Sequence, residues 1–363
     1  MVVRVYLKQA WNLMKQNPLF STLYIVGTGI SIVMTMVIAI VYYVRLAPVY
    51  PETNRMRTLV VKSAKMTNDE STHSSNISYA MLKDWFYSLE SAEVSTGVSG
   101  TSYARVTNDK EEIPTYARYT DENFFRVFPL VFLEGKPFTE ADRRSGIHNV
   151  VLTDSYAQQL FGTTKGVVGK NFLMDYTNVK VVGVVKSGSF LTPDSYAQVY
   201  LPYSCRDGYD DERSHWALGG YRVYILMKES KSVTDVQDEV LELVRKFNVS
   251  DMGDGWKLDL VGQPELYWHS TFRLRNNVDV DWGRVIWMFV GIFMVLLFVP
   301  AFNLSGMISA RMERQLPDLG IRKAFGASRR RLLVQIIWEN LLLTGLGTLL
   351  GLVIAWIVLA LSG

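Results

Sequence analysis

The chain has 363 residues, 48% hydrophobic and 20% charged, and its 38 basic and 35 acidic groups leave a net charge of only +3. That size holds two or three ordinary domains, and so balanced a charge excludes an extended disordered tail. A mean hydropathy of +0.09, concentrated in three uncharged runs, argues against a wholly cytoplasmic enzyme.

In chain order, residues 1–18 interleave Val5, Leu7, Ala10, Trp11 and Met14 with Arg4, Lys8 and Lys15. This predicts an amphipathic helix on the inner membrane surface, ending where Asn17-Pro18 turns the chain inward. The first apolar run, 19–44, is uncharged and closed by Arg45. About 20 residues suffice to cross the hydrocarbon, so it reads as a membrane helix. It is too long, too far from the N-terminus and too bulky at its end for a cleaved signal peptide.

Residues 45–283 have soluble composition. Strands are expected over 58–62, 221–227 and 256–261, with strand and turn over 93–106. The helix expected over 78–89 carries Met81, Leu82, Trp85, Phe86 and Leu89, and the one over 233–247 carries Val236, Val240, Leu243, Val244 and Phe247, each set on one side. Two β-α-β units separated by about 110 residues thus suggest a split α/β subdomain with a mixed α/β subdomain inserted at about 110–219. Within the insert, a capped apolar helix is expected after Thr120. A second covers 155–161 and stops at Gly162, and a strand covers 179–185 with a tight spot at Gly183. Segment 202–220 reads as an exposed loop.

The second apolar run is 285–308, placing a membrane helix over 284–308, and the third lies within 334–361. Between them, 309–333 is basic, with a net charge of +5, and the N-terminal flank is basic as well. Both belong on the cytoplasmic side, which puts 45–308, net −4, outside. In the short loop Leu319, Ile321, Ala324 and Phe325 form an apolar set beside Arg322 and Lys323, after Pro317 and before a stop at Gly326. Such an amphipathic elbow suits docking of a soluble partner; Arg329, Arg330 and Arg331 suit lipid head groups. Gly347 and Gly351 form a GxxxG, with Gly345 near the same side, a small-residue pattern used in helix packing.

No catalytic constellation stands out. His73, His148, His215 and His269 are far apart, and no GxSxG or GxxxxGK[ST] occurs, so the chain is not itself a P-loop ATPase. Asp207, Asp210, Asp211 and Glu212 lack EF-hand spacing and read as a solvated loop. The single cysteine, Cys205, allows no intrachain disulfide, which fits a bacterial envelope and requires the external domain to stand on its own core.

The stretch Asp318-Leu-Gly-Ile-Arg-Lys-Ala-Phe-Gly-Ala-Ser-Arg329, followed by Gln335 and Glu339, resembles the signature of MacB/FtsX-type ABC transporter permeases. So do Tyr119-Thr-Asp-Glu-Asn-Phe-Phe-Arg-Val-Phe128, Leu133-Glu-Gly-Lys-Pro-Phe-Thr-Glu-Ala-Asp142, Val150-Val-Leu-Thr-Asp-Ser-Tyr-Ala-Gln-Gln-Leu-Phe-Gly162, Val168-Gly-Lys170 and Val181-Val-Gly-Val-Val185, which resemble the family's periplasmic core domain. The resemblance implies an α/β periplasmic domain on an all-α membrane domain in the bacterial inner membrane, with the N-terminus cytoplasmic. It implies a fourth membrane helix, expected beyond residue 363. It also implies an elbow in which Asp318, Leu319, Ile321, Arg322, Lys323 and Phe325 meet a separately encoded ATPase. Pro317 departs from the family's usual charged residue and alters the elbow's shape rather than its place.

On that resemblance the chain is a non-catalytic subunit without a cofactor of its own, and ATP-Mg is used by the partner. A second permease subunit, identical or paralogous, is implied, with a periplasmic adaptor and an outer-membrane protein as further export partners and no nucleic acid. The work expected is efflux or extrusion of an envelope substrate, peptide, lipoprotein or drug-like, by mechanotransmission. A membrane-anchored periplasmic sensor, a membrane-bound enzyme and a cell-division-type regulatory permease are the alternatives. A sensor would need a cytoplasmic output domain, and division-type relatives tend to carry a much smaller external domain.

Overall fold

A computed structural model of the chain describes residues 18–100, 102–107, 112–206, 208–209, 217–250, 255–296 and 329–362, with Trp11, Lys15, Phe298, Pro317, Gly320, Ile321, Ala324 and Phe325. The chain divides into two compact units, Val44–Asp281 and the pair Met1–Tyr43 with Trp282–Gly363.

The unit Val44–Asp281 is built on two sheets. The first is eight-stranded and takes β1 (Thr58–Val61), β2 (Ala64–Thr67), β3 (Thr72–Ile77) and β4 (Ala92–Ser99) from one side of the insert. From the other side it takes β12 (Leu218–Gly219), β13 (Tyr221–Met227), β14 (Lys257–Asp259) and β15 (Glu265–Leu266). Its order is β14-β2-β3-β13-β1-β15, with β4 on β13 and β12 on β3. Strand β13 lies between β1 and β4, antiparallel to both, and buries Tyr221 and the run Val223–Leu226, as a central strand covered on both faces should.

One long helix covers this sheet. Ser232 and Asp235 form a reciprocal capping box that starts it at Val233, and the helix runs to Val249. Val236, Val240 and Val244 fall four residues apart and are buried in the core with Leu59, Ile77, Leu82, Phe86 and Ile225. Full burial of such side chains is worth about 1.5–3 kcal/mol each. The helix expected over 78–89 is shorter, Tyr79–Asp84, capped by the Ser78 side chain, and a 3-10 turn over Phe86–Ser88 follows it.

The second sheet is contributed entirely by 102–202, so the inserted fold begins at Ser102 rather than about 110. Its strands are β5 (Ser102–Thr107), β6 (Glu112–Thr120), β7 (Phe132–Gly135), β8 (Asn149–Thr153), β9 (Asn171–Met174), β10 (Thr177–Val185) and β11 (Val199–Pro202). The pairings run β10-β8-β11-β6-β5-β9 and return to β10, a closed ring with β7 added on β10. Closure leaves these six strands no free edge between them. Val106, Ala117, Val150, Leu152, Val179 and Val181 share one core with Tyr156 and Leu160 of the helix Asp154–Phe161. That helix stops at Gly162, whose φ of 70° is left-handed. At Gly183 a Cβ would lie 2.7 Å from the Lys136 carbonyl oxygen, and the register shifts there against β8, which explains the tight spot in that strand. Segment 202–220 is not wholly an exposed loop: Tyr203 is buried in the core and β12 joins the first sheet.

The other unit holds helix α1, Pro18–Leu46, which continues into the first residues of Val44–Asp281, then Trp282–Leu296 and Arg329–Ser362. Ser21–Leu46 and Asn340–Val358 are each long and apolar enough to cross a membrane. The second predicted membrane helix is described from Trp282 to Leu296; beyond that only Phe298 of it lies within the described residues.

Candidate functional site

Two helices approach closely through small residues. A Cβ on Gly347 would sit 2.8 Å from Thr28 Cβ and 3.0 Å from the Ile25 carbonyl oxygen; one on Gly351 would sit 2.8 Å from the Gly29 carbonyl oxygen. Gly29 faces back onto Gly347 and Gly351, and Tyr24 Oη hydrogen-bonds Thr344 Oγ1 at 2.9 Å beside them. Without Cβ atoms the backbones reach van der Waals range, which drives helix association where there is no hydrophobic gain. Gly345 does not share this contact, since nothing lies within 4 Å of its Cβ direction. Gly29 escaped the sequence reading, since Ile25 and Val33 stand four residues to either side and no small-residue pair marks it. Tyr42 stacks at 5.1 Å on Phe289, so the helix Trp282–Leu296 also touches α1.

Of the elbow residues, Ile321 and Phe325 are within the described residues, whereas Asp318, Leu319, Arg322 and Lys323 lie outside them. The Phe325 amide donates to the Ile321 carbonyl at 3.1 Å, one helical turn. The Phe325 side chain is 88% exposed, and Ile321 and Ala324 are exposed with it.

The most heavily built polar site was invisible in the sequence. It lies in Val44–Asp281, where the chain leaves α1 and where it runs toward Trp282. Arg55 is buried and ion-paired to buried Glu52, and its Nη1 donates to the carbonyls of Val44 and Ala47. Glu52 in turn accepts from Ser195 Oγ at 2.7 Å, reaching the inserted domain. At the other crossing Arg273 is ion-paired to buried Glu265 and donates to the carbonyls of Val278, at 2.6 Å, and Val261, at 2.9 Å. Each end of Val44–Asp281 therefore has one buried arginine that grips both a carboxylate and the backbone within that unit.

Between the two crossings, Lys62 Nζ meets Asp194 at 2.7 Å and Arg222 meets the same carboxylate at 3.3 Å. Burial alone would raise the Asp194 carboxyl, but Lys62 and Arg222 outweigh it and hold the group well below the ordinary range. Its contribution to stability is complete above the unfolded carboxyl's pKa near 4 and is lost only as pH falls through the depressed folded value.

A second hub joins the sheets. The buried Asp121 carboxylate accepts from Tyr87 Oη at 2.6 Å, Thr96 Oγ1 at 2.7 Å and the amides of Gly97 at 2.8 Å, Asn123 at 3.0 Å and Phe124 at 3.1 Å. Thr96 and Gly97 belong to β4 of the first sheet, while Asp121 follows β6 of the second. Burial raises this carboxyl to about 6 against those donors, with Glu122 adding to the rise. The folded state then binds the proton more tightly than the unfolded chain, so stability declines as pH rises from about 4 to about 6. Asp121→Asn is expected to flatten that slope. It should also destabilise by about 1–3 kcal/mol, because its NH2 meets donors instead of offering an acceptor. Unfolding midpoints of both proteins across pH 4–7 check both effects.

Among the described residues no three His, Cys, Asp or Glu side chains are grouped to hold a metal ion. Burial pushes the Cys205 thiol up to about 12, which leaves it unreactive at neutral pH.

Residues 20–243 match the family model of the MacB-like periplasmic core domain, and residues 288–362 that of the FtsX-like permease C-terminal region. The pyoverdine export ATP-binding/permease protein PvdT of Pseudomonas entomophila is 25% identical over 237 residues, 64% of this chain and 34% of that protein. The macrolide export ATP-binding/permease protein MacB of Agrobacterium fabrum is 23% identical over 234 residues, 64% of this chain and 34% of that protein. The chain spans about a third of the length of these two relatives. The crystal structure of the periplasmic region of MacB from Actinobacillus actinomycetemcomitans aligns at a TM-score of 0.39 and 16% identity, over 55% of this chain and 88% of that one.

Proposed function

The chain belongs to the MacB/FtsX-like ABC transporter permeases, and from that premise we propose that it is the non-catalytic membrane subunit of a transporter powered by a separately encoded ATPase. On this reading the ATPase alone uses ATP-Mg, and two permease subunits, identical or paralogous, pair with two ATPases. The membrane is the bacterial inner membrane, the elbow is cytoplasmic and Val44–Asp281 is periplasmic.

The observation that carries the reading is Phe325. A phenylalanine 88% exposed on a helical turn beside exposed Ile321, in the loop between two apolar helices, has the chemistry of an anchor for a partner's pocket. Asp318, Leu319, Arg322 and Lys323 would flank that anchor with apolar and charged contacts. Closure of the ATPases on ATP would push this elbow, and α1 with the helix from Trp282 would pass the movement outward. Within Val44–Asp281, Arg55 ties the backbone at Val44 and Ala47 to Glu52, and Arg273 ties Val278 to Glu265, so the segments that would receive that movement are themselves braced. The work done is export or extrusion of an envelope substrate, a peptide, lipoprotein or drug-like molecule. A periplasmic adaptor and an outer-membrane protein would complete the export route.

Purification of the full chain in mild detergent, with quantitative identification of what accompanies it, tests the proposal. A P-loop ATPase in one-to-one ratio is the expected result. Recovery of folded protein without any ATPase would overturn it.

A further inference from the structure

A small pocket of about 180 Å³ opens between the two arginine-held crossings, lined by Arg45, Arg55, Lys62, Tyr267, Ser270 and Thr271, with Leu191, Pro193 and Asp194 completing its wall. Its hydrogen-bond inventory is lopsided. Asp194 already accepts from Lys62 and Arg222 through both oxygens. Lys62 spends one of its three ammonium hydrogens on that bond, and the other two have no acceptor among the described residues. The Tyr267 ring is only 5% exposed, held between Arg55 at 5.3 Å and Lys62 at 5.6 Å, yet its hydroxyl has no hydrogen-bond partner among the described residues. That hydroxyl and the two spare Lys62 hydrogens are donors open to a guest that supplies acceptors. Arg45 is exposed and also without an ion pair among the described residues.

Arg55 is answered by Glu52, and Lys62 shares Asp194 with Arg222, so Arg45 and part of the Lys62 charge face the pocket without a counter-charge of their own. The missing component is a compact anion with several acceptor oxygens. Its position is equally specific: Arg45 lies in the last turn of α1, directly after the uncharged run. Lipid head groups lie at that depth, and arginine at a helix end reaches them.

We propose that this pocket binds a phosphate group, held by Arg45 and Lys62 through charge and by the Tyr267 hydroxyl through a hydrogen bond. The site goes beyond the permease reading and does not depend on an ATPase being present. A phospholipid head group and free phosphate share this chemistry, and they are told apart by experiment.

The full chain is placed in phosphatidylcholine nanodiscs doped with phosphatidylglycerol, and the phosphatidylglycerol retained on release is counted by native mass spectrometry. Arg45→Gln, Tyr267→Phe and Arg275→Gln, an exposed arginine outside the pocket, are run beside it, and each variant's unfolding midpoint is recorded. The expected result is one tightly retained phosphatidylglycerol per chain. Affinity falls about tenfold in Arg45→Gln and in Tyr267→Phe, the scale of one hydrogen bond to a charged group, and is unchanged in Arg275→Gln. In a second arm, inorganic phosphate is added to lipid-free protein in detergent. A rise in the unfolding midpoint that the two pocket variants lose, without lipid retention, assigns the site to free phosphate. Equal retention by all four proteins with no response to phosphate overturns the proposal. So does loss in Arg45→Gln alone with Tyr267→Phe unchanged, which would mark Arg45 as a surface contact.

Discussion

Arg55→Ala is expected to destabilise Val44–Asp281 by about 3–5 kcal/mol, the usual consequence of removing one partner from a buried ion pair. Glu52 has no exposed surface in its side chain and would keep a charge with only Ser195 to answer it. The carbonyls of Val44 and Ala47 would lose their donor at the same time. For a unit of this size each kcal/mol lowers the unfolding midpoint by about 2–4 °C, so thermal unfolding of the full chain in detergent should shift by about 10 °C. The double replacement Arg55→Met with Glu52→Leu should recover much of the loss, because no unpaired charge remains. A shift below about 2 °C in Arg55→Ala would mean that the pair is solvated and carries nothing.

Gly347→Leu is the second large effect. Even its first carbon would stand 2.8 Å from Thr28 Cβ and 3.0 Å from a backbone oxygen of α1, so the helices must separate. Separation also removes the Tyr24–Thr344 hydrogen bond and the fit of Gly351 against Gly29. Overpacking alone costs about 1–3 kcal/mol, and loss of the small-residue contact adds to it. Gly345→Leu, with open space at its Cβ, should leave stability within about 0.5 kcal/mol. Cysteine cross-linking between α1 and Arg329–Ser362 in membranes reads both: efficient in Gly345→Leu, strongly reduced in Gly347→Leu.

This contrast also shows what the sequence could tell. Small residues every four positions marked the right helix, but which of three glycines meets a neighbour depends on the azimuth of that neighbour, which only packing sets. Strand β13 and the helix Val233–Val249 were legible because burial on both faces, or every fourth residue, writes itself into composition. The hairpin of β2 and β3 was not, since Thr72–Ile77 is almost wholly polar and exposed. Nor was the β9–β10 turn, where Asp175 and Tyr176 both take positive φ without the Asn-Gly pair that usually announces it.

The elbow could be proposed from sequence because its residues are contiguous. The polar sites at the crossings could not, because their members are brought together from distant positions: Lys62 with Asp194, Glu52 with Ser195, Asp121 with Thr96. Arg55 sits three residues from Glu52, but such short spacings are usually solvated surface pairs, and Arg273 is eight residues from Glu265, so burial was not written in either one.

The central claim is that an ATPase is coupled to this chain through the elbow. It is tested most directly by the ATP hydrolysis rate of the purified complex with wild-type chain, Phe325→Asp and Tyr176→Asp. Tyr176 is as freely exposed but lies in Val44–Asp281, on the β9–β10 turn. The account predicts that Phe325→Asp loses the chain's effect on hydrolysis, about tenfold or more, as removal of an interface anchor does, while Tyr176→Asp keeps it. Unchanged hydrolysis in a folded Phe325→Asp complex would contradict the account.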